Sequence, residues 1–195
     1  KLVKTMRAGV LVLGSLLTKY RKAKVSLPGG CAIGTRPVDL HLFALKKLGA
    51  KIKIKDGYIF AQAKNGLKGA TIKFPSISVG ATENAILAAY KAKGKTVLKN
   101  CAIEPEIKDL IEFLKKLGAD ISLKGRTVTI LESKTKVLKI IHHVIFDRIE
   151  LGTYIIASAL LAKKNLIIDK IDPKIIKNEL GVLRKIGVQI IKKKN

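Results

Sequence analysis

The chain has few of the residues that mark secreted or membrane-spanning proteins. Its 195 residues include only two cysteines, Cys31 and Cys101, which lie far apart in sequence. Two distant cysteines argue against a disulfide framework and favour a reducing compartment. Apolar runs such as residues 10–13 fall well short of the roughly 18 to 20 residues that span a bilayer. We therefore expect a cytoplasmic protein with no membrane partner.

Aromatic residues are also scarce: they make up 5% of the chain, and Trp is absent. Nucleic-acid bases would thus find few rings on which to stack. Lys and Arg number 39 against 14 acidic residues, a formal charge of +25 that would suit phosphate binding. Many lysines, however, alternate with isoleucine, as in residues 51–55, which is typical of strands with one solvated face. We expect no specific nucleic-acid partner, and a basic nucleic-acid-binding protein is the weaker alternative.

The most distinctive segment is glycine-rich and spans residues 27–41, with the sequence LPGGCAIGTRPVDLH. Its glycines permit a tight loop that presents Cys31. Arg36 follows five residues later, and its charge would favour the thiolate while its planar fork could hold a phosphate. The residues alone leave two interpretations open. One is a reactive thiol beside an anionic substrate, and the other is a buried structural cysteine.

A repeat organises the chain. The sequence ALKKLGAKI at residues 44–52 recurs as FLKKLGADI at 113–121 and as LRKIGVQI at 183–190, so that the glycines are 69 residues apart. Equal spacing of a helix-stop glycine before a strand indicates one α-β-α-β-β unit used three times. We predict first helices at residues 4–20, 81–92 and 150–163, and strands at 24–27, 96–99 and 165–169. Second helices follow Pro37, Pro105 and Pro173, strands begin at 51, 120 and 189, and hairpin strands occupy 58–63 and 127–131.

Several other polar residues have simple structural interpretations. Cys101 ends a predicted strand without a glycine loop, which favours a packed structural cysteine. His142 and His143 have no Cys or His at ligand spacing, so we predict linker residues and no metal site. The acidic side chains of Glu104, Glu106 and Asp109 lie in or near the first turn of a predicted helix, where the helix dipole favours negative charge.

Five segments carry a resemblance to a known family. They are KTMRA at 4–8, PGGCAIGTRPVDLH at 28–41, SVGAT at 78–82, EPE at 104–106 and DRIELGT at 147–153. With the repeat, they resemble the enolpyruvyl transferase family, and within it the UDP-N-acetylglucosamine 1-carboxyvinyltransferases. The resemblance implies an α/β (α+β) fold of the inside-out α/β barrel type, with two domains of three units each and substrates in the cleft between them.

The resemblance also predicts the domain content of the chain. Residues 1–143 correspond to the latter part of a first domain, with two repeat units and the Cys loop, and residues 144–195 to the opening part of a second domain. We therefore expect a fragment that lacks both ends and does not turn over alone, the missing segments being supplied by the rest of the full-length protein.

The implied reaction moves the enolpyruvyl group of phosphoenolpyruvate onto the 3-hydroxyl of UDP-N-acetylglucosamine, the first committed step of peptidoglycan precursor synthesis, without a cofactor. By resemblance, Cys31 is the proton donor that forms a covalent adduct with phosphoenolpyruvate and the thiol that fosfomycin alkylates. Arg36 and Arg7 are the implied catalytic cations. The implied substrate-binding residues are Arg7, Arg36, Pro37, Val38, Asp39, Leu40, Ser76, Ile77, Ser78, Val79 and Gly80.

Some positions depart from the family pattern or have a different implied role. Ser76 and Ile103 stand where lysine and arginine are common. His41 either approaches the diphosphate or has a surface or capping role. Asp147 and Arg148 are implied to form a domain hinge or an ion pair.

Two alternatives remain beside this function. A non-catalytic remnant would keep the fold and at most bind the UDP-sugar. A 3-phosphoshikimate 1-carboxyvinyltransferase would share fold and reaction, but it lacks the Pro-Gly-Gly-Cys loop that leads into Arg-Pro-Val-Asp.

Overall fold

A computed structural model describes residues 6–28, 38–133, 139–162, 164 and 166–192, with the backbone but not the side chain of Arg7. The chain divides into two compact units, Lys1–His142 and His143–Asn195. The domain boundary after residue 143, which concerns the domains of the complete fold, stays a prediction.

The first unit alternates helices and strands in the predicted order. A 3₁₀ helix (Arg7–Leu11) leads into the first α-helix, so the predicted helix at 4–20 is composite. The helices are α1 (Val12–Tyr20), α2 (Asp39–Lys47), α3 (Val79–Ala89) and α4 (Pro105–Lys116). The strands are β1 (Lys22–Ser26), β2 (Lys51–Lys55), β3 (Tyr58–Gln62), β4 (Thr71–Lys73), β5 (Thr96–Lys99), β6 (Ile121–Lys124) and β7 (Thr127–Ile130).

The two repeats build the same strand arrangement. In the first, β3 lies between β1 and β2 and is antiparallel to both, with Val25 opposite Ile59 and Ile52 opposite Ala61. In the second, β7 lies between β5 and β6 and is again antiparallel to both. Strand β4, which the sequence analysis did not predict, adds to the second sheet by pairing parallel to β5. Helices packed with one antiparallel and one mixed sheet confirm the predicted α/β class.

The repeated glycines end their helices as predicted. Gly49, Gly118 and Gly187 have φ angles of +94°, +83° and +94°, in the left-handed region that glycine adopts without strain. After the first of them, the N–H of Ala50 donates to the carbonyl of Leu45 at 3.0 Å. This bond closes the helix end in the manner of a Schellman motif.

Apolar side chains between the helices and the two sheets form one continuous core in the first unit. Its fully buried members include Leu13 on α1, Leu45 on α2 and Ile86 on α3. On β2, Lys51, Lys53 and Lys55 are exposed, as the alternating pattern predicts, but Ile52 on the other face is only half-buried and Ile54 is 51% exposed.

The second unit contains helix α5 (Arg148–Leu161), a 3₁₀ helix (Pro173–Ile176) and helix α6 (Lys177–Lys185). Its small core consists of Leu151, Ile176 and Leu180. The strands predicted at 165–169 and from residue 189 are wrong as far as the structure describes them, because residues 166–169 and 188–192 are not in strands. A strand needs a neighbour for its backbone hydrogen bonds, and the described part of this unit provides none.

Candidate functional site

Three segments of the first unit meet around the side chain of Asn84, which is fully buried on α3. They are the 3₁₀ helix that contains Arg7, the start of α2 and the first turns of α3. The carbonyl of Val10, the ring of His41 and the backbone of Gly80 are the contacts that bring them together. Segments far apart in sequence thus form one site.

The amide of Asn84 makes three hydrogen bonds. Its Oδ1 accepts from the N–H of Gly14 at 2.8 Å, and its Nδ2 donates to the carbonyl of Val10 at 3.0 Å. Nδ2 also lies 3.1 Å from Nδ1 of His41. Because a buried polar group costs free energy unless it is paired, these bonds explain how an amide is accommodated among apolar side chains.

His41 lies against the start of α3. A Cβ placed on Gly80 would be 3.2 Å from Cε1 and 3.4 Å from Nε2 of His41, and 3.8 Å from Cδ2 of Leu11. At these distances the edge of the imidazole ring contacts Gly80, and a larger side chain at position 80 would clash with the ring. The close approach explains why glycine suits position 80.

The N-terminus of α3 is capped by Ser78. Its Oγ accepts from the N–H of Ala81 at 3.3 Å, and its carbonyl accepts from the hydroxyl of Thr82 at 2.7 Å. The first N–H groups of an α-helix have no carbonyl partner within the helix, and together with the helix dipole they favour an anion. Ser78, Val79 and Gly80 are half-buried at this end, so the geometry is compatible with a phosphate group.

Among the other predicted substrate-binding residues, some are described by the structure and some are not. Asp39 begins α2 and is exposed, whereas Val38 and Leu40 beside it are half-buried. Ser76 and Ile77 are exposed just before α3. Cys31, Arg36 and Pro37 lie outside the described residues, as does the side chain of Arg7, so the roles of these four residues stay predictions.

Cys101 is a buried free thiol, which confirms the prediction of a packed structural cysteine. Burial raises its pKa from 9.0 to about 11, although hydrogen bonds with the Val128 backbone and the Thr82 side chain oppose the shift. A thiol with a pKa this high is almost entirely protonated near neutral pH, so it is a poor nucleophile.

Glu83, next to Asn84 on α3, has a raised pKa. Burial of the carboxyl group is the larger cause, and the charge of Glu106 adds to it. Both effects disfavour the ionised form. The carboxylate therefore costs folding free energy near neutral pH.

The acidic residues around α4 have structural contacts. Glu104 is the N-cap residue of α4, and its Oε2 accepts from the N–H of Ile103 at 2.8 Å. Asp109 accepts from Nε2 of His142 at 3.1 Å, and the side chain of His142 is 8% exposed. His142, predicted as a linker residue, thus ties the end of the first unit to α4.

In the second unit, Asp147 caps α5: its Oδ1 accepts from the N–H groups of Ile149 at 2.8 Å and Glu150 at 3.2 Å. A carboxylate at this position stabilises a helix start. The hinge role of Asp147 and Arg148 stays a prediction.

Across the described residues, no three His, Cys, Asp or Glu side chains are grouped so as to hold a metal ion. The helices in this part of the chain also lack the combination of length and apolar character that membrane crossing requires.

Sequence reasoning did not identify Asn84. Its signal was an amide that follows Thr82 and Glu83 and precedes the apolar sequence AILAA at residues 85–89. Such a residue is either on the solvated face or a buried hydrogen-bonding centre, and helical periodicity alone does not distinguish the two.

Comparisons with known proteins agree with this architecture. The family model for EPSP synthase (3-phosphoshikimate 1-carboxyvinyltransferase) matches residues 1–195. Curated proteins named UDP-N-acetylglucosamine 1-carboxyvinyltransferase are 60% identical over 194 residues in Pelagibacter ubique and 52% identical over 194 residues in Endomicrobium trichonymphae. Both matches cover 100% of this chain and 46% of the relative, so the chain spans about half the length of these relatives.

Solved structures show the same fold. The enolpyruvyl transferase NikO from Streptomyces tendae matches with a TM-score of 0.80 at 24% identity, over 100% of this chain and 47% of that one. An EPSP synthase from Acinetobacter baumannii matches with a TM-score of 0.67 at 17% identity, over 94% of this chain and 41% of the other. These findings confirm the resemblance drawn from the sequence motifs: the chain belongs to the EPSP synthase (3-phosphoshikimate 1-carboxyvinyltransferase) family and has the enolpyruvyl transferase fold.

Proposed function

We propose that this chain serves in the transfer of the enolpyruvyl group from phosphoenolpyruvate to the 3-hydroxyl of UDP-N-acetylglucosamine, in the cytoplasm, at the start of peptidoglycan precursor synthesis. The observation that carries the proposal is 60% identity along the whole chain to a relative named for this reaction. Identity to an EPSP synthase structure is 17%, which favours the UDP-sugar over shikimate 3-phosphate as acceptor.

The proposed step balances without a cofactor. The oxygen of the sugar hydroxyl adds to C2 of phosphoenolpyruvate and the hydroxyl proton is released, while C3 takes up a proton, which gives a tetrahedral intermediate. The C2–O bond to phosphate then breaks, C3 loses a proton, and the double bond forms again. Cys31 would donate the proton to C3, and Arg36 and Arg7 would offset the repulsion between two anionic substrates.

The described geometry supports a phosphate-binding end at α3. Ser78, Val79 and Gly80 form the helix start, and Val38, Asp39 and Leu40 form the start of the neighbouring α2. His41 joins the two ends through its contact with Gly80. We assign the diphosphate to this end of α3 and the uridine to the start of α2.

Labelling with fosfomycin tests the thiol assignment. We expect the epoxide to add to Cys31 and to spare Cys101, which is buried and has a pKa of about 11. Addition should be faster when UDP-N-acetylglucosamine is present. Mass spectrometry of tryptic peptides measures both sites, and Cys31→Ser is the control that should abolish labelling. Equal labelling of the two thiols would contradict the assignment.

Calorimetric titration tests the acceptor. We expect UDP-N-acetylglucosamine to bind and shikimate 3-phosphate to give no heat, and the reverse preference would support the alternative 3-phosphoshikimate reaction. A phosphate-release assay with both substrates separates an active chain from a non-catalytic remnant. We expect binding without turnover from this chain alone.

A further inference from the structure

One face of the first sheet is rich in lysine. Strands β1 and β2 both pair with the central strand β3, so residues of the three strands form rows across the sheet. Side chains alternate between the two faces of a sheet, and Ile59 and Ala61 of β3 are buried on the core side. The opposite side, which we call the basic face, consists of two rows, Lys22–Gln62–Lys51 and Lys24–Phe60–Lys53.

All six side chains of the basic face are exposed. Phe60 is an apolar ring that is 38% exposed between two lysines. The Nζ atom of Lys24 lies 5.1 Å from the centroid of this ring, so the ammonium and the ring share one side of the sheet. Among the described residues, no carboxylate forms an ion pair with any of the four lysines. The basic face therefore gathers unneutralised positive charge around an aromatic ring.

The four lysines are close enough to act on one ligand. Alternate residues of a strand are about 7 Å apart and neighbouring strands about 5 Å apart, so the lysine Cα atoms lie within about 10 Å of Phe60. Like charges at such distances repel each other, and a bound polyanion would remove that repulsion. Charge complementarity thus indicates a partner with several negative charges, and the exposed ring indicates a partner with planar groups that stack on it. Single-stranded nucleic acid has both.

The second repeat shows that the fold itself does not require such a face. The 69-residue spacing relates Phe60 to Thr129 and Lys53 to Ser122, and these residues form the row Val97–Thr129–Ser122 across the second sheet. That row is partly exposed and contains neither a charge nor a ring. Lysines around an aromatic residue are therefore a property of the first repeat and not of the α-β-α-β-β unit.

We propose that the basic face binds single-stranded nucleic acid without sequence preference, with one base stacked on Phe60 and the flanking phosphates on the four lysines. Every base has a face that can stack, so no specific sequence is needed. The base displaces the Lys24 ammonium from the ring, because stacking of a base is stronger than an exposed cation–π contact. The released ammonium then contacts a phosphate. This activity is independent of enolpyruvyl transfer.

The variant Phe60→Thr tests the stacking. It introduces the residue type of the corresponding position in the second sheet and leaves the charge unchanged. Fluorescence anisotropy measures the Kd for a labelled oligouridylate of about ten nucleotides. We expect the Kd to rise about tenfold, as for one lost stacking contact, with an unchanged dependence on salt. An unchanged Kd would overturn the proposal, since the charge of +25 would then attract the oligonucleotide without the ring.

The double variant Lys24→Gln with Lys53→Gln tests the phosphate contacts. The slope of log Kd against log salt concentration should fall by about 1.4, because each neutralised phosphate of a single strand contributes about 0.7. Lys99→Gln with Lys124→Gln is the matched control. These two lysines flank Thr127 across the second sheet, and their loss should leave the slope nearly unchanged. Equal decreases in the two double variants would show attraction by net charge alone and reject the assigned face.

The variant Phe60→Trp reads the stacking directly and keeps an aromatic ring in place. The chain has no Trp, so the introduced indole is the sole source of tryptophan fluorescence. We expect oligouridylate to quench it and inorganic polyphosphate, which has charge but no bases, to leave it unchanged. Equal quenching by both ligands would contradict stacking. Circular dichroism of each variant checks that the fold is retained.

An anionic membrane is another surface with many negative charges. Vesicles of phosphatidylcholine and phosphatidylglycerol test it by co-sedimentation, and we expect any binding to be the same for the wild-type chain and Phe60→Thr. If this variant loses vesicle binding but keeps oligouridylate binding, the basic face contacts lipid and the proposal is wrong.

Discussion

The two units of the chain use similar helices in different ways. Helix α3 of the first unit buries Ala81, Ala85, Ile86 and Ala88 in a continuous core. Helix α5 of the second unit is also largely apolar but buries only Leu151, and it leaves Ile149, Tyr154, Ile156, Leu160 and Leu161 exposed. Apolar character alone thus does not indicate how strongly a position is constrained. Matched substitutions in the two units measure that difference.

We expect the largest difference in stability between the two units when a helical glycine of each unit is replaced by alanine. In Gly14→Ala, the new Cβ on α1 would lie 2.6 Å from both the carbonyl oxygen and Oδ1 of Asn84. The helices must separate and the Asn84 bond to Gly14 is disturbed, so we expect the free energy of unfolding to fall by about 4 kcal/mol. Hydrogen exchange measured by mass spectrometry should show faster exchange in peptides of the first unit.

Gly152→Ala on α5 is the matched variant. A Cβ there would have nothing within 4 Å, and alanine favours the helix over glycine by up to about 1 kcal/mol. Exchange in α5 should therefore slow down. A loss of stability at Gly152 as large as that at Gly14 would show that the second unit is packed as tightly as the first.

Truncation of apolar side chains should give the next largest difference. Ile86 is fully buried on α3, whereas Leu160 on α5 is 77% exposed. We expect Ile86→Ala to lower the free energy of unfolding by about 3 kcal/mol, through lost burial and a cavity. Leu160→Ala should change it by less than about 0.5 kcal/mol. Urea denaturation followed by circular dichroism measures both, and comparable losses would contradict the contrast.

The fold was predictable where a local signal and the packing agree. The three helix-stop glycines identified the repeat, because a left-handed residue after a helix is a strong local requirement. The third-unit strands were wrong because the repeat predicts an extended segment but does not supply a neighbouring strand. Strand β4 was missed because three residues, Thr71–Lys73, are too short for a period to be recognised.

The site was predictable only in part for a similar reason. Serine directly before a helix is a typical N-cap residue, and the side chain of Ser78 does cap α3. The role of Asn84 depends on Gly14 and Val10, which lie 70 and 74 residues away in sequence. No local pattern contains that information, since it arises only when the two repeats pack together.

The smallest contrast concerns two glutamates near helix starts, Glu83 on α3 and Glu150 on α5. Burial raises the pKa of Glu83, and the charge of Glu106 raises it further. The folded state then binds the proton more tightly than the unfolded state, so stability falls as pH rises from about 4.5 through the raised pKa. Glu83→Gln removes that loss, and we expect it to stabilise the chain at pH 7 by less than about 1 kcal/mol.

The pH dependence of the stability gain distinguishes the burial of the Glu83 charge from other causes. The gain from Glu83→Gln should disappear below pH 4, where the wild-type carboxyl group is protonated in both states. Glu150→Gln should instead lower stability slightly at pH 7, by about 0.3 kcal/mol, because an exposed carboxylate in the first turn of a helix interacts favourably with the dipole. Urea titrations at several pH values measure both effects. If the stability gain of Glu83→Gln persists at low pH, its cause is packing or helix propensity. Burial of the Glu83 charge, which distinguishes α3 from α5, would then not explain the gain.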